Sequence, residues 1–430
     1  MTYYSLNNQA PKTSFKDAVI KGLAPDKGLY FPEHITPLPD SFFKDIDTMS
    51  YPEIAFETIK QFTSPDIPED VLKNITEDTL SFNFPIEEIT DNIATLELFH
   101  GPTMAFKDVG ARFMARCLGY FNQGNNHEVT VLVATSGDTG GAVANGFLGV
   151  EGVNVVILYP SGKVSDIQEK QLTTLKKNIK ALEVDGTFDD CQAMVKRAFL
   201  DQSITNKIQL TSANSINVAR WLPQMFYFMF AYQQLHKTHN NLVFSVPSGN
   251  FGNICAGMMA QRLGLPIKHF IAANNANNIV TQYLHTQDYT PKPSIQTISN
   301  AMDVGDPSNF VRIQELHHNN FKTLSKNMSG YSYSDAETIR AIKELYHDYN
   351  YIADPHGAVG FLACKDYLKQ HPNDYCVFLE TAHPTKFLDI VENIIKENIE
   401  LPKQILNVMD KEKLAVKIST YEQLKTFLLD

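Results

Sequence analysis

From Ile93 onward the chain alternates short β-branched or apolar runs with longer stretches of helical periodicity. Val129 to Ala134 and Val153 to Tyr159 are unbroken apolar runs of strand length, the pattern of strands buried on both faces. Ile93 to Phe99 reads as a strand with Ile93, Thr95, Glu97 and Phe99 on one side, and Ile179 to Val184, Leu242 to Val246, Ile267 to Ala272 and Cys376 to Leu379 continue the series. Helical stretches separate them: Val164 to Lys176, Phe188 to Leu200, Asn217 to Leu235, Asn253 to Leu263, Asp335 to Tyr349 and Gly357 to Lys369. This alternation predicts an α/β fold with mainly parallel sheets flanked by helices. In such sheets ligands bind beyond the carboxyl ends of the strands.

The flanks read differently. Residues 1–92 are mostly helical patterns broken by prolines, including Ile54 to Phe62 and Pro68 to Leu80, and predict a helical region packed on the main body. His285 to Tyr333 is polar and irregular, and residues 401–430 form a tail with a short helix or two. The formal charge of −11 over 430 residues argues against nucleic-acid binding, which needs basic surface. The most apolar stretch, Met225 to Tyr232, is too short to span a membrane. The N-terminus shows no secretory signal, and the five cysteines are scattered with no Cys-x-x-Cys pair. A cytoplasmic protein with no disulfide framework and no metal site is expected.

Chemistry enters at Lys107, within His-Gly-Pro-Thr-Met-Ala-Phe-Lys-Asp from His100 to Asp108. A helix opening near Met104 would put Lys107, Ala111, Met114 and Leu118 on one stripe and Asp108, Arg112 and Arg116 on a polar one facing solvent. Among apolar neighbours a lysine loses hydration of its charged form and becomes a usable amine. A lysine that snorkels to water is the commoner outcome for such a position taken alone. Three strand-to-helix turns add candidates. Thr135-Ser-Gly-Asp-Thr-Gly-Gly141 could aim backbone N–H groups at an anion or could simply cap its helix. Pro247-Ser-Gly-Asn-Phe-Gly-Asn253 suits a phosphate cradle of main-chain donors, with a plain structural turn as competitor. In Glu380-Thr-Ala-His-Pro-Thr-Lys-Phe387, Thr381 could hydrogen-bond a ring nitrogen or only cap the turn.

Taken in order, the segments around Lys107, Thr135, Asn214-Ser-Ile-Asn-Val-Ala-Arg220 and Pro247 resemble the threonine synthase family, in its branch with a long N-terminal region. Gly28-Leu-Tyr-Phe-Pro32 and Asp354-Pro-His-Gly-Ala-Val-Gly360 also fit, so the resemblance spans nearly the whole chain. It implies a fold type II pyridoxal-phosphate enzyme, similar to the tryptophan synthase β subunit, with the cofactor between two α/β lobes. The lobes are expected at residues 93–205, carrying Lys107 and the first turn, and 206–400, carrying the second turn and Thr381.

By motif position, the resemblance makes Lys107 the Schiff-base lysine and places Asp138 at the cofactor's ring hydroxyl. Gly249, Asn250, Phe251, Gly252 and Asn253 form the cofactor phosphate cup, and Thr381 meets the pyridine nitrogen. Thr135, Ser136 and Thr139 hold the substrate carboxylate. Asn214, Ser215 and Arg220 hold the phosphate of O-phospho-L-homoserine. The implied reaction gives L-threonine and phosphate, with Lys107 as base at Cα. The motifs barely separate this from a phospho-lyase giving 2-oxobutyrate, and a non-catalytic metabolite-binding protein is the reading from another class. The branch resembled suggests a monomer.

Overall fold

The β-branched runs pair into two sheets in the computed structural model, which describes residues 1–124 and 128–430. The larger sheet runs Met328–Ser332, His269–Asn274, Leu242–Pro247, Tyr375–Glu380, Ile93–Glu97, Ile86–Thr90, parallel except for the antiparallel last pair. The smaller runs Val416–Ile418, Ile179–Val184, Val153–Pro160, Val129–Ala134, Gln209–Thr211 and is parallel throughout. Helices cover both faces, which is why the central strands carry almost no polar side chain. No helix among the described residues is long and apolar enough to cross a membrane.

Several expectations change. Ile93–Glu97, expected in the smaller lobe, pairs with Tyr375–Glu380 in the larger sheet, while Gln209–Thr211, expected in the larger lobe, pairs with Val129–Ala134 in the smaller. Periodicity identifies a strand but not its partner, so the lobes interleave along the chain instead of dividing at residues 93 and 206. The tail is more than a short helix or two. Val416–Ile418 is an edge strand of the smaller sheet, and Tyr421–Leu429 packs on Phe188–Leu200. The irregular stretch, where loops and short helices are expected, holds the short helices Phe310–Leu316 and Phe321–Asn327 but also the unexpected strand Met328–Ser332.

The N-terminal region is helical with a small antiparallel sheet of Thr2–Ser5, Thr13–Ser14 and Tyr30–Pro32. Its helix Tyr51–Thr63 opens on a Ser50/Glu53 capping box and buries Ile54, Ile59 and Phe62. That face meets Met225–Leu235, a helix apolar on nearly all sides and buried over most of its length; Tyr51 lies 4.3 Å from Phe230, ring to ring. The N-terminal region thus covers the helix that follows Arg220 in the chain.

Candidate active site

Lys107 is the first residue of the helix Lys107–Asn122, one turn later than the sequence suggests, because Met104 adopts φ +59° and breaks the turn before it. The loop leading into the helix is stitched to the segment after Tyr375–Glu380. Phe106 N donates to Thr381 O at 2.8 Å, His383 N to Met104 O at 3.1 Å, and Ala105 bridges Ala382. Tyr227 Oη donates to Phe106 O. These bonds bring Lys107 and Thr381 together although 274 positions separate them. Asp108 does not face solvent as the helical stripe suggested. It is buried, and its carboxylate accepts from Thr103 N at 2.9 Å and Thr103 Oγ1 at 2.5 Å, closing the loop.

Among the described residues Lys107 Nζ has no hydrogen-bond or ion-pair partner, and it stands 5.7 Å from the centre of the Phe106 ring. Burial holds its ammonium below the ordinary lysine range; Asp138 opposes this, while Lys386 and Arg220 add to it. The amine is therefore unpartnered, and its charged form is disfavoured relative to a lysine in water.

The turn after Val129–Ala134 divides its hydroxyls between two tasks. Thr135 Oγ1 accepts from Gly137 N at 3.0 Å and Gly140 N at 2.8 Å, so this side chain caps the helix Asp138–Gly146 and is not open to a ligand. Ser136 and Thr139 are half-buried with hydroxyls unpartnered among the described residues. The backbone N–H groups of residues 136, 138 and 139 likewise meet no protein acceptor. Asp138 Oδ1 sits 2.9 Å from Lys386 Nζ and accepts from Gln168 Nε2 at 3.0 Å. Burial by itself would raise the Asp138 pKa, but Lys386 first and Lys107 second outweigh it and hold the carboxyl well below the usual range. Asp138 is a carboxylate.

The turn after Leu242–Pro247 fits a phosphate. Phe251 caps the helix Gly252–Arg262 in the left-handed region at φ +59°, without a side-chain cap bond. None of the backbone N–H groups of residues 249–253 donates to an acceptor among the described residues. A run of unpaired donors at a helix start is the arrangement that receives an anion. The side chains of this turn do other work. Asn253 Nδ2 donates to Pro247 O at 2.8 Å, and Asn250 bridges Ser215 Oγ at 2.8 Å and Ser308 N at 2.6 Å. Ser215, expected at the substrate phosphate, is thus bonded to this cradle.

Arg220 is 4% exposed, yet Nε and Nη1 have no partner among the described residues. It lies against the lysine helix, since a Cβ on Gly110 would stand 2.6 Å from Arg220 O and 3.3 Å from its Nε. Burial draws it down to about 10, leaving it cationic at neutral pH. A buried guanidinium with no ion-paired partner among the described residues calls for an anionic ligand. Asn214 Oδ1, nearby in the chain, is likewise buried and unpartnered among the described residues. Thr381 Oγ1 also has no partner among the described residues, which leaves it available to a ring nitrogen.

Two site residues escaped the sequence reading. Lys386 Nζ, 0% exposed, donates to Thr103 O at 2.8 Å and Gln171 Oε1 at 2.9 Å besides pairing with Asp138. Arg312, also 0% exposed, stacks 4.2 Å over Trp221 and donates to the carbonyls of Tyr30, Ser215 and Ile216 and to Asn309 Oδ1. A lysine in a Pro-Thr-Lys-Phe turn and an arginine in a polar stretch carry no local signal of burial.

Comparison with known proteins gives three matching family models: "Pyridoxal-phosphate dependent enzyme" over residues 89–381, "Threonine synthase N terminus" over 2–80 and "Threonine synthase, C-terminal" over 357–428. A threonine synthase of Buchnera aphidicola subsp. Acyrthosiphon pisum is 43% identical over 433 residues, covering 100% of both chains. The crystal structure of threonine synthase from Escherichia coli superposes with a TM-score of 0.93 at 39% identity, covering 100% of this chain and 99% of that one. A pyridoxal-phosphate-bound threonine synthase from Brucella melitensis gives 0.93 at 32% identity, covering 100% and 98%.

Proposed function

The chain belongs to the threonine synthase family of pyridoxal-phosphate-dependent lyases, and on that premise we propose that it converts O-phospho-L-homoserine and water to L-threonine and phosphate through the residues gathered around Lys107. The observation that carries the choice of a phosphorylated substrate is Arg220, a buried cation with two unpartnered nitrogens beside the helix of an unpartnered lysine.

In this reading Lys107 holds the cofactor aldehyde, the N–H groups of residues 249–253 hold its phosphate, Asp138 faces its ring hydroxyl and Thr381 its ring nitrogen. When bound, pyridoxal phosphate supplies the electron sink that lets protons leave carbon next to the substrate amine. Lys107, once released, takes the Cα proton and later returns it, a task suited to an amine whose charged form is disfavoured. Ser136 and Thr139, with the N–H groups at the start of Asp138–Gly146, receive the substrate carboxylate, while Thr135 keeps that turn in shape. Arg220, with Asn214, binds the substrate phosphate and steadies the charge that develops as it leaves Cγ. Ser215 acts through Asn250, tying the substrate loop to the cofactor cradle. A cytoplasmic monomer acting on a small molecule completes the proposal.

The test is turnover of O-phospho-L-homoserine with product analysis. Threonine and phosphate are expected, and 2-oxobutyrate with ammonia would point to the phospho-lyase instead. Lys107→Ala should abolish turnover together with the protein's visible absorbance in the presence of cofactor. Arg220→Met should lower kcat/KM roughly 100-fold or more, about 3 kcal/mol of lost ionic hydrogen bonding. Full activity in either variant would end this assignment.

A further inference from the structure

The buried ion pair between Asp138 and Lys386 joins opposite sides of the cleft. Asp138 begins a helix that follows a strand of the smaller sheet. Lys386 lies in the short 3-10 turn Pro384–Phe387, after the strand Tyr375–Glu380 of the larger sheet. The lysine's three acceptors come from three segments: the Thr103 carbonyl in the loop before Lys107, Gln171 in the helix Asp166–Thr173, and Asp138 itself. Ser165 Oγ also donates to Lys386 O at 3.2 Å. On the carboxylate, Lys386 and Gln168 both meet Oδ1, while Oδ2 takes no hydrogen bond from the described residues and is not sealed from the cleft. Such an ion pair, with Lys386 wholly buried and Asp138 nearly so, carries a large desolvation penalty, and a lysine is rarely buried unless paired.

We propose that Lys386 is a positioning residue for the reaction: its tether to Asp138 Oδ1 fixes the carboxylate, leaves Oδ2 to the cleft, and makes the charge facing Lys107 from that side a neutral pair. This rests on the functional reading above, in which Lys107 is the working amine. The charged groups that bear on the Lys107 ammonium are Asp138, Lys386 and Arg220. Lys386 also acts on Asp108 and His383, neither of which bears directly on Lys107. Removing one member of the pair therefore leaves a single net charge next to the amine, negative without Lys386 and positive without Asp138. Removing both restores neutrality.

The experiment reads Lys107 directly in the full-length, cofactor-free protein, as the pH dependence of its acylation by an amine-reactive reagent, followed by peptide mass analysis. Lys386→Met should raise the midpoint by about one pH unit, as an unbalanced carboxylate stabilises the ammonium. Asp138→Asn should lower it by a similar amount. The double variant should return it to the wild-type value, and Lys386→Arg, which keeps the charge, should leave it in place. A parallel titration with pyridoxal phosphate should show affinity falling about tenfold or more in each neutral single variant and partly recovering in the double. The idea fails if Lys107 titrates alike in all five proteins, or if the losses in the double variant simply add. Should Lys386→Met not fold, Asp138→Asn, Lys386→Arg and the double variant still carry the comparison. A wild-type protein that binds no pyridoxal phosphate would overturn the functional reading while leaving the acylation result intact.

Discussion

Burial holds the imidazoles of both His269 and His383 at about 4, against 6.5 for a free ring. His269 stacks on Tyr367, and His383 Nδ1 accepts from Thr385 N at 3.2 Å, a bond lost if that nitrogen takes a proton. Both rings are neutral in the folded protein. The unfolded chain takes up protons first as pH falls below 6.5, so the stability these rings lend is whole above that pH and drains away as pH drops toward 4. Thermal midpoints measured across this window should decline, and His269→Asn should flatten the decline. An unchanged slope in that variant would assign the loss to carboxylates. At this scale the sequence is a partial guide. Lys107 was readable because it stands in an extended motif, and Arg220 because its motif follows in order. Lys386 and Arg312 were not, since what makes them special is full burial, a property set with partners as far as 283 and 282 positions away.

Among the elements, the cradle at residues 249–253 shows how a turn can be shaped by its surroundings. A Cβ on Gly249 would stand 2.6 Å from Ala301 O and 2.8 Å from Met302 Cα, both backbone atoms that cannot rotate aside. Gly249→Ala should therefore displace the loop or the cradle. Retention of pyridoxal phosphate, followed by equilibrium dialysis, should weaken about tenfold or more, with the larger sheet still folded by circular dichroism. Unaltered retention would show that the N–H groups of this turn are not the phosphate donors. Phe188–Leu200, Asp335–Tyr349, Val129–Ala134 and Ile179–Val184 lie where periodicity places them, because each is long or apolar enough for local pattern to decide. The short strands Gln209–Thr211, Met328–Ser332 and Val416–Ile418 were invisible. Three to five residues give too little alternation, and their strand character comes from the neighbour they pair with.

Across the whole molecule, the stretch after Pro402 returns from the larger lobe to finish the smaller one. Ile405 packs with Met104 and Ile167, Lys413 pairs with Glu169 and Glu183, and Tyr421 and Leu424 enter the core beneath Phe188–Leu200. A chain ending at residue 402 would expose that core and the edge of Ile179–Val184. It should melt at lower temperature than the full chain and aggregate as it does so, as light scattering during heating would reveal. A truncated chain that melts like the whole would make the tail dispensable.

Arg312 has a consequence in time as well as in space. All five of its N–H groups end on oxygens of the chain, and two reach Tyr30 O, made 282 residues earlier. On the ribosome, that carbonyl waits for its partner until most of the polypeptide has left the exit tunnel. Nascent chains arrested before residue 312 should accordingly be cut by protease near Tyr30, and chains arrested well beyond it should resist.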